Sequence, residues 1–381
     1  MSDAIAAGDA AARAALCLDD MAEAARAGLP SDVWDFIEGG SGAELTLEAN
    51  RTALDALYVV PRVLRDASRA SAECLLIGSP VRMPVAVAPM AYQRLAHPEG
   101  ELGSARAAGA AGVPFTVPML SSVAVEELAK VGASLWFQLY WLRDRGLTAE
   151  LLARAEAAGC RAVMLTVDVP RMGKRLRDAR SSFVLPRDVR AVHFTREDAT
   201  AAQQRRHGAS AVADHTRKAF DPSLSWADLE WLRSQTRLPL ILKGVLDAED
   251  ALQAVWAGVD GLVVSNHGGR QLDGALPGIE ALPDVREAVG DGCELLLDGG
   301  IRSGTDVLKA LARGASGVLL GRPVLHGLAV GGKEGAERTL ALLHDELDDA
   351  LVLSGCRGPD DAARLRLTTF RAGNGRDKVR A

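Results

Sequence analysis

Aromatic residues are few in this sequence: seven Phe, six Trp and three Tyr make up 4% of 381 residues. The core must therefore be built mainly from Ala, Val, Leu and Ile. Cysteine is thin as well. Cys17, Cys74, Cys160, Cys293 and Cys356 lie far apart with no CxxC pair. Such an odd, scattered set reads as reduced thiols, not as a disulfide frame or a zinc site, and no metal centre is expected. No run of about 18 apolar residues is present, so no membrane span is expected. The stretch Met1 to Leu16 is Ala-rich but broken by Asp3, Asp9 and Arg13, unlike a secretory leader. These absences together predict a cytoplasmic protein. A basic excess is missing too: the formal net charge is −6, which argues against a nucleic-acid partner.

What is present is a repeated alternation. Short apolar runs recur at Pro84–Pro89, Pro114–Pro118, Leu135–Tyr140, Ala162–Asp168, Leu238–Gly244, Gly261–His267, Glu294–Gly300 and Gly317–Pro323. Continuous apolar runs of this length suit parallel strands buried on both faces. Between them lie stretches with helical spacing, such as Gly100–Ala111, Leu147–Ala158, Ala248–Ala257 and Thr305–Arg313. Several end in Ala-Gly or Arg-Gly, where glycine relieves the left-handed turn that closes a helix. Eight strand–helix units predict an α/β fold, a TIM (β/α)8 barrel. Residues 1–80 read as an N-terminal helical extension and 81–370 as the barrel. Residues 171–225 form a long polar insertion, a lid loop after the fourth strand. Residues 371–381 read as a flexible tail.

Functional groups of such barrels gather at the C-terminal strand ends. The ends here carry Ala91 and Tyr92, Gln138 and Tyr140, Thr166 and Asp168, Lys243, Ser265 and His267 with Arg270, Asp298 to Arg302, and Gly321-Arg322. The seventh and eighth ends suit a phosphate cup: Gly299, Gly300 and Gly321 permit close backbone approach, and Arg302 and Arg322 supply cations. The same glycines also suit plain turns, and the spacing leaves both readings open. His267 is the candidate base, with Asp168 placed to orient it. Arg270 and Arg175 suit a substrate carboxylate, although Arg175 sits in the run Lys174-Arg175-Leu176-Arg177, which also suits a solvated face.

Several stretches together resemble the FMN-dependent α-hydroxy acid oxidase family, which includes glycolate and lactate oxidases. They are Ala96 to Glu101, Gln138-Leu139-Tyr140, Leu165 to Asp168, Ser265 to Asp273, Leu297 to Asp306 and Gly321-Arg322-Pro323. The resemblance runs from about residue 20 to residue 357. Trp34 to Ile37 and Ala88 to Tyr92 are most similar to the 4-hydroxymandelate oxidase branch.

The resemblance implies FMN as cofactor and oxidation of an (S)-2-hydroxy acid to the 2-oxo acid, with O₂ reduced to hydrogen peroxide. It implies that His267 takes the hydroxyl proton, Asp168 orients His267, and Tyr140 bonds near the reacting carbon. Arg175 and Arg270 would hold the carboxylate beside Phe36. Lys243 would stand by flavin N1 and O2, with Ala91, Gln138, Thr166 and Ser265 around the ring. Asp298, Gly300, Arg302, Gly321 and Arg322 would hold the ribityl phosphate end. It also implies a homotetramer.

Three departures bear on the substrate. Many members carry Tyr where Phe36 stands, glycolate oxidases place Trp at Leu120, and a flavin-binding Ser is replaced by Pro118. The pocket is therefore expected to take a bulky or aromatic acid, such as a mandelate or 4-hydroxymandelate, in preference to glycolate. Alternatives are a dehydrogenase using a non-oxygen acceptor and an oxidase of a carrier- or peptide-linked hydroxy acid. A non-redox barrel could share the phosphate cup but would not need His267 with both arginines.

Overall fold

The computed structural model describes residues 10–194 and 216–369. Its centre is a closed barrel of eight parallel strands in the order β7-β8-β1-β2-β3-β4-β5-β6. These are β1 (Val85–Val87), β2 (Phe115–Val117), β3 (Leu135–Tyr140), β4 (Ala162–Thr166), β5 (Leu240–Val245), β6 (Gly261–Val264), β7 (Glu294–Leu297) and β8 (Gly317–Leu320). All eight expected runs contain a strand, but most strands stop earlier. β4 ends at Thr166 and β7 at Leu297 because the next residues leave the ladder to form the catalytic-end loops.

The strand residues alternate between two apolar layers. Ala86, Trp136, Met164, Ile241, Val263, Leu296 and Leu319 share one cluster inside the barrel. Their strand neighbours, such as Phe137, Val163, Leu242 and Leu320, belong to the outer cluster packed under the helices. With both faces buried, each run reads as continuously apolar. Leu→Ala in either layer would cost about 2–5 kcal/mol.

The segment before β1 is less helical than its sequence suggests. It holds α1 (Leu18–Gly28), α2 (Ser31–Glu38) and α3 (Leu45–Asp55), but also strands. Leu57–Val60 pairs antiparallel with Arg366–Thr369. Cys74–Leu76 and Ser79–Val81 make a hairpin, and its Leu76, Ile77 and Val81 join the inner cluster as a plug. The insertion also differs from a wholly polar lid. Its described part carries a short helix, Leu176–Ser181, and buries Phe183, Leu185, Val189, Phe194 and Phe220. The expected tail, 371–381, lies outside the described residues.

Candidate active site

The period-two rule that builds the barrel also aims the polar residues. Two positions beyond the inner-layer residues Trp136, Met164, Ile241, Val263, Leu296 and Leu319 stand Gln138, Thr166, Lys243, Ser265, Asp298 and Gly321. Side chains alternate along a strand, so Gln138, Thr166 and Lys243 continue the same inward row, and Ser265, Asp298 and Gly321 follow one residue past the ends of β6, β7 and β8.

His267 Nδ1 lies 3.0 and 3.2 Å from the two Asp168 oxygens. That contact leaves Nε2 for another partner. Burial pushes the imidazole below its ordinary 6.5, against the upward pull of Asp168. Burial also opposes the charge on Asp168, yet His267 and Lys243 hold its carboxyl below the usual range. The pair is thus a neutral imidazole facing a carboxylate, the form a general base needs.

Backbone geometry sets this pair. His267 has φ 60° and is followed by Gly268 at 61° and Gly269 at 77°, a left-handed turn that costs a non-glycine residue roughly 1 kcal/mol. The Ser265 hydroxyl oxygen accepts from His267 N at 2.9 Å, and Asn266 Oδ1 accepts from Gly269 N at 3.0 Å. Gly244 makes room for the carboxylate. It has φ 110°, and a Cβ there would stand 2.5 Å from Asp168 Cγ.

Lys243 forms the second ion pair, 2.7 Å from Asp298, and donates to Ser265 Oγ at 3.0 Å. Burial lowers its pKa, but Asp298 and Asp168 carry the net shift above 10.5. Gln138 donates to Thr166 Oγ1 at 3.0 Å and accepts from Met119 N at 3.1 Å. Tyr140 stacks on Phe220 at 4.5 Å; burial and Asp168 push its phenol up to about 12, so it stays protonated.

The structure brings the expected arginines to one cleft, lined by Arg175, Arg270, Arg302 and Arg322 among others. The Phe36 ring lies 5.8 Å from the guanidinium carbon of both Arg175 and Arg270 and stacks on Phe183. Arg270 donates to the carbonyls of Phe36, Ile37 and Gly39 at the end of α2, which fixes its orientation and leaves its Nε–H uncommitted among the described residues. Arg175 Nε is buried without a partner among the described residues, and the Asp178 carboxylate stands 4.0 Å from its guanidinium. Burial lowers the pKa of Arg175, Arg270 and Arg302. Arg322 donates to the carbonyls of Ile37, Glu38 and Gly268.

This excess of buried positive charge fits two anions, a phosphate and a carboxylate. At the expected phosphate end, Gly299 and Gly300 have φ 91° and 83° and line the cleft with Arg302, Arg322 and Gly321. Asp298 Oδ1 is buried without a partner among the described residues, while its Oδ2 pairs with Lys243. Ala91 lines the same cleft. The donor set therefore fits FMN.

Other participants were not named as site residues from the sequence. Asn50 of α3 exchanges reciprocal amide hydrogen bonds with Asn266, at 2.9 and 2.7 Å. Arg51 bonds to Asp306 and to the Gly300 carbonyl. Gln271 donates to the Asp168 carbonyl at 2.7 Å, and Phe220 of the insertion walls the pocket. An Asn or Arg on an amphipathic helix looks like any solvated residue until the partner strand ends are in place.

Barrel, base pair and anion sites define a flavin-dependent oxidoreductase acting on a small organic acid. Residues 25–369 match the FMN-dependent dehydrogenase family. The chain is 55% identical to 4-hydroxymandelate oxidase of Amycolatopsis orientalis, over 91% of this chain and 97% of the relative. It is 46% identical to L-lactate oxidase of a Nostoc species, over 87% and 92%. A crystal structure of mandelate oxidase with (S)-4-hydroxymandelic acid superposes with a TM-score of 0.91 at 54% identity, covering 93% of this chain and 99% of that one. The chain belongs to the FMN-dependent dehydrogenase family. Within it, this is an FMN-dependent hydroxy acid oxidase.

Proposed function

We propose that the chain oxidises the (S)-enantiomer of an aromatic 2-hydroxy acid of the mandelate or 4-hydroxymandelate type to its 2-oxo acid. Dioxygen takes the two electrons and two protons and leaves as hydrogen peroxide. The observation that carries the substrate class is the Phe36 ring set against both Arg175 and Arg270. It puts an apolar face beside the carboxylate-binding cations, where a hydroxyl would favour a small polar acid. Leu120, Tyr140 and Phe220 extend that wall.

In this reading Arg175 and Arg270 receive the carboxylate and Tyr140 donates to the oxygen on the reacting carbon. Neutral His267 takes the hydroxyl proton through Nε2, and Asp168 stabilises the imidazolium that results. FMN, when bound, accepts the electrons from the substrate and returns them to oxygen. Lys243 holds positive charge at the pyrimidine edge of the ring, with Gln138, Thr166, Ser265 and the backbone at Ala91 around it. Asp298, Gly300, Arg302, Gly321 and Arg322 would hold the ribityl phosphate end. The extension (1–80) and the barrel (81–370, with insertion 171–225) work as one unit, since α2 and α3 supply Phe36 and Asn50.

The test is anaerobic flavin bleaching by both enantiomers of mandelate and 4-hydroxymandelate, with lactate and glycolate beside them. Fast bleaching by the (S)-aromatic acids is expected. Glycolate outrunning them would overturn the substrate class, and reoxidation by a quinone but not by O₂ would overturn the acceptor. No described helix is long and apolar enough to cross a membrane. A cytoplasmic homotetramer completes the proposal, and light scattering checks the assembly.

A further inference from the structure

Three cleft-lining residues carry a buried polar atom with no partner among the described residues: Arg175 Nε, Asp298 Oδ1 and Tyr92 Oη. The first two belong to the carboxylate and cofactor ends. Tyr92 belongs to neither, and no role above uses its hydroxyl.

Its placement is imposed by the backbone. Tyr92 has φ 57°, its N–H donates to the Leu120 carbonyl at 3.1 Å, and its carbonyl accepts from Leu95 N at 2.9 Å. The ring is 1% exposed. It stands one residue beyond Ala91 and is joined to Leu120, on the side of the cleft formed by the β1 and β2 loops. Phe36, Arg175 and Arg270 come from α2, the insertion and the β6 loop. A phenyl ring would fill the same space without burying an unsatisfied hydroxyl, which is unfavourable. Thr116, Trp136 and Trp141 also hold unpartnered atoms, but none of them lines the cleft.

We propose that Tyr92 is a specificity-determining residue whose hydroxyl bonds a polar substituent, a ring hydroxyl above all, on the part of an aromatic 2-hydroxy acid remote from its carboxylate. The proposal rests on the aromatic-acid reading above. Leu120 leaves space for the ring, and the Tyr92 phenol, buried and protonated, both donates to and accepts from a phenolic partner. A site built to pair a hydroxyl rejects the analogue that lacks one more strongly than an apolar pocket does.

The experiment compares wild type and Tyr92→Phe on (S)-4-hydroxymandelate and (S)-mandelate. It follows flavin reduction and, separately, binding of the two corresponding 2-oxo acids by flavin difference spectra. Wild type is expected to favour the ring-hydroxylated acid by about tenfold or more in kcat/KM, the scale of one buried hydrogen bond. Tyr92→Phe should erase that preference, weaken the hydroxylated oxo acid by a similar factor, and leave mandelate within about threefold. Equal losses on both acids, or an unchanged ratio, would overturn the inference while leaving the aromatic-acid reading intact. If neither mandelate reduces the wild-type flavin, the substrate reading fails and takes this inference with it.

Discussion

Two pairs of a carboxylate and a basic group interleave on four adjacent strand ends, Asp168 with His267 and Asp298 with Lys243, and the pKa values of the two basic groups move in opposite directions. Both cations lose water, which disfavours charge. His267 starts at 6.5, is pushed down by burial and by the Lys243 charge against the pull of Asp168 and Asp298, and ends lower. Lys243 starts at 10.5, meets Asp298 at 2.7 Å and feels Asp168 as well, and ends higher. One barrel end thus holds a neutral base beside a permanent cation. Desolvation wins at His267, where the Lys243 charge adds to it, and Coulomb attraction wins at Lys243, which is paired directly with Asp298 and also faces Asp168.

The sharpest way to break this contrast is His267→Ala. Flavin reduction by substrate should fall more than about a hundredfold, while bound FMN, read from its visible absorbance, is kept. Asp168→Asn should cost about tens of fold in the same stopped-flow measurement, since the imidazolium loses its stabilising charge. Gly244→Ala should give about a tenfold loss, because the new Cβ meets Asp168 at 2.5 Å and a misplaced orienting group weakens the base. Bleaching unchanged in that variant would show that the carboxylate position is not critical.

Acid pH sharpens the same comparison. The His267 pKa is lowered, so kcat/KM should fall only as pH drops below 6.5. Asp168 raises that pKa, so the acid limb of Asp168→Asn should move further down. A limb above 6.5 in wild type would contradict the neutral-base picture. The smallest expected effect is Phe36→Tyr, which returns a hydroxyl beside Arg175 and Arg270. It should raise glycolate turnover about severalfold relative to mandelate, measured as a ratio of kcat/KM.

Much of this was legible in the chain before folding. The eight runs, the glycines that end helices, and the polar residues beyond each run pointed to a barrel with chemistry at one end. His267, Asp168 and Lys243 stood out because a polar residue at the end of a doubly buried strand has few structural reasons to be there. The extension and insertion were harder to read. Strand Leu57–Val60 is recognisable only through its partner Arg366–Thr369, about three hundred residues away, and the insertion's buried aromatics are spaced too widely to signal a wall.

The sequence by itself determined the alternation of strands and helices and the barrel they close, and it singled out the candidate base, carboxylates and arginines, because periodicity and residue chemistry are local properties. Only the tertiary structure decided which groups are paired and which are left unsatisfied. Arg270 is fixed by the α2 carbonyls, Asn50 braces Asn266, and Tyr92 buries a hydroxyl with no partner among the described residues. Hydrogen-bond satisfaction and desolvation depend on every element packed around an atom, and no window of sequence contains that sum.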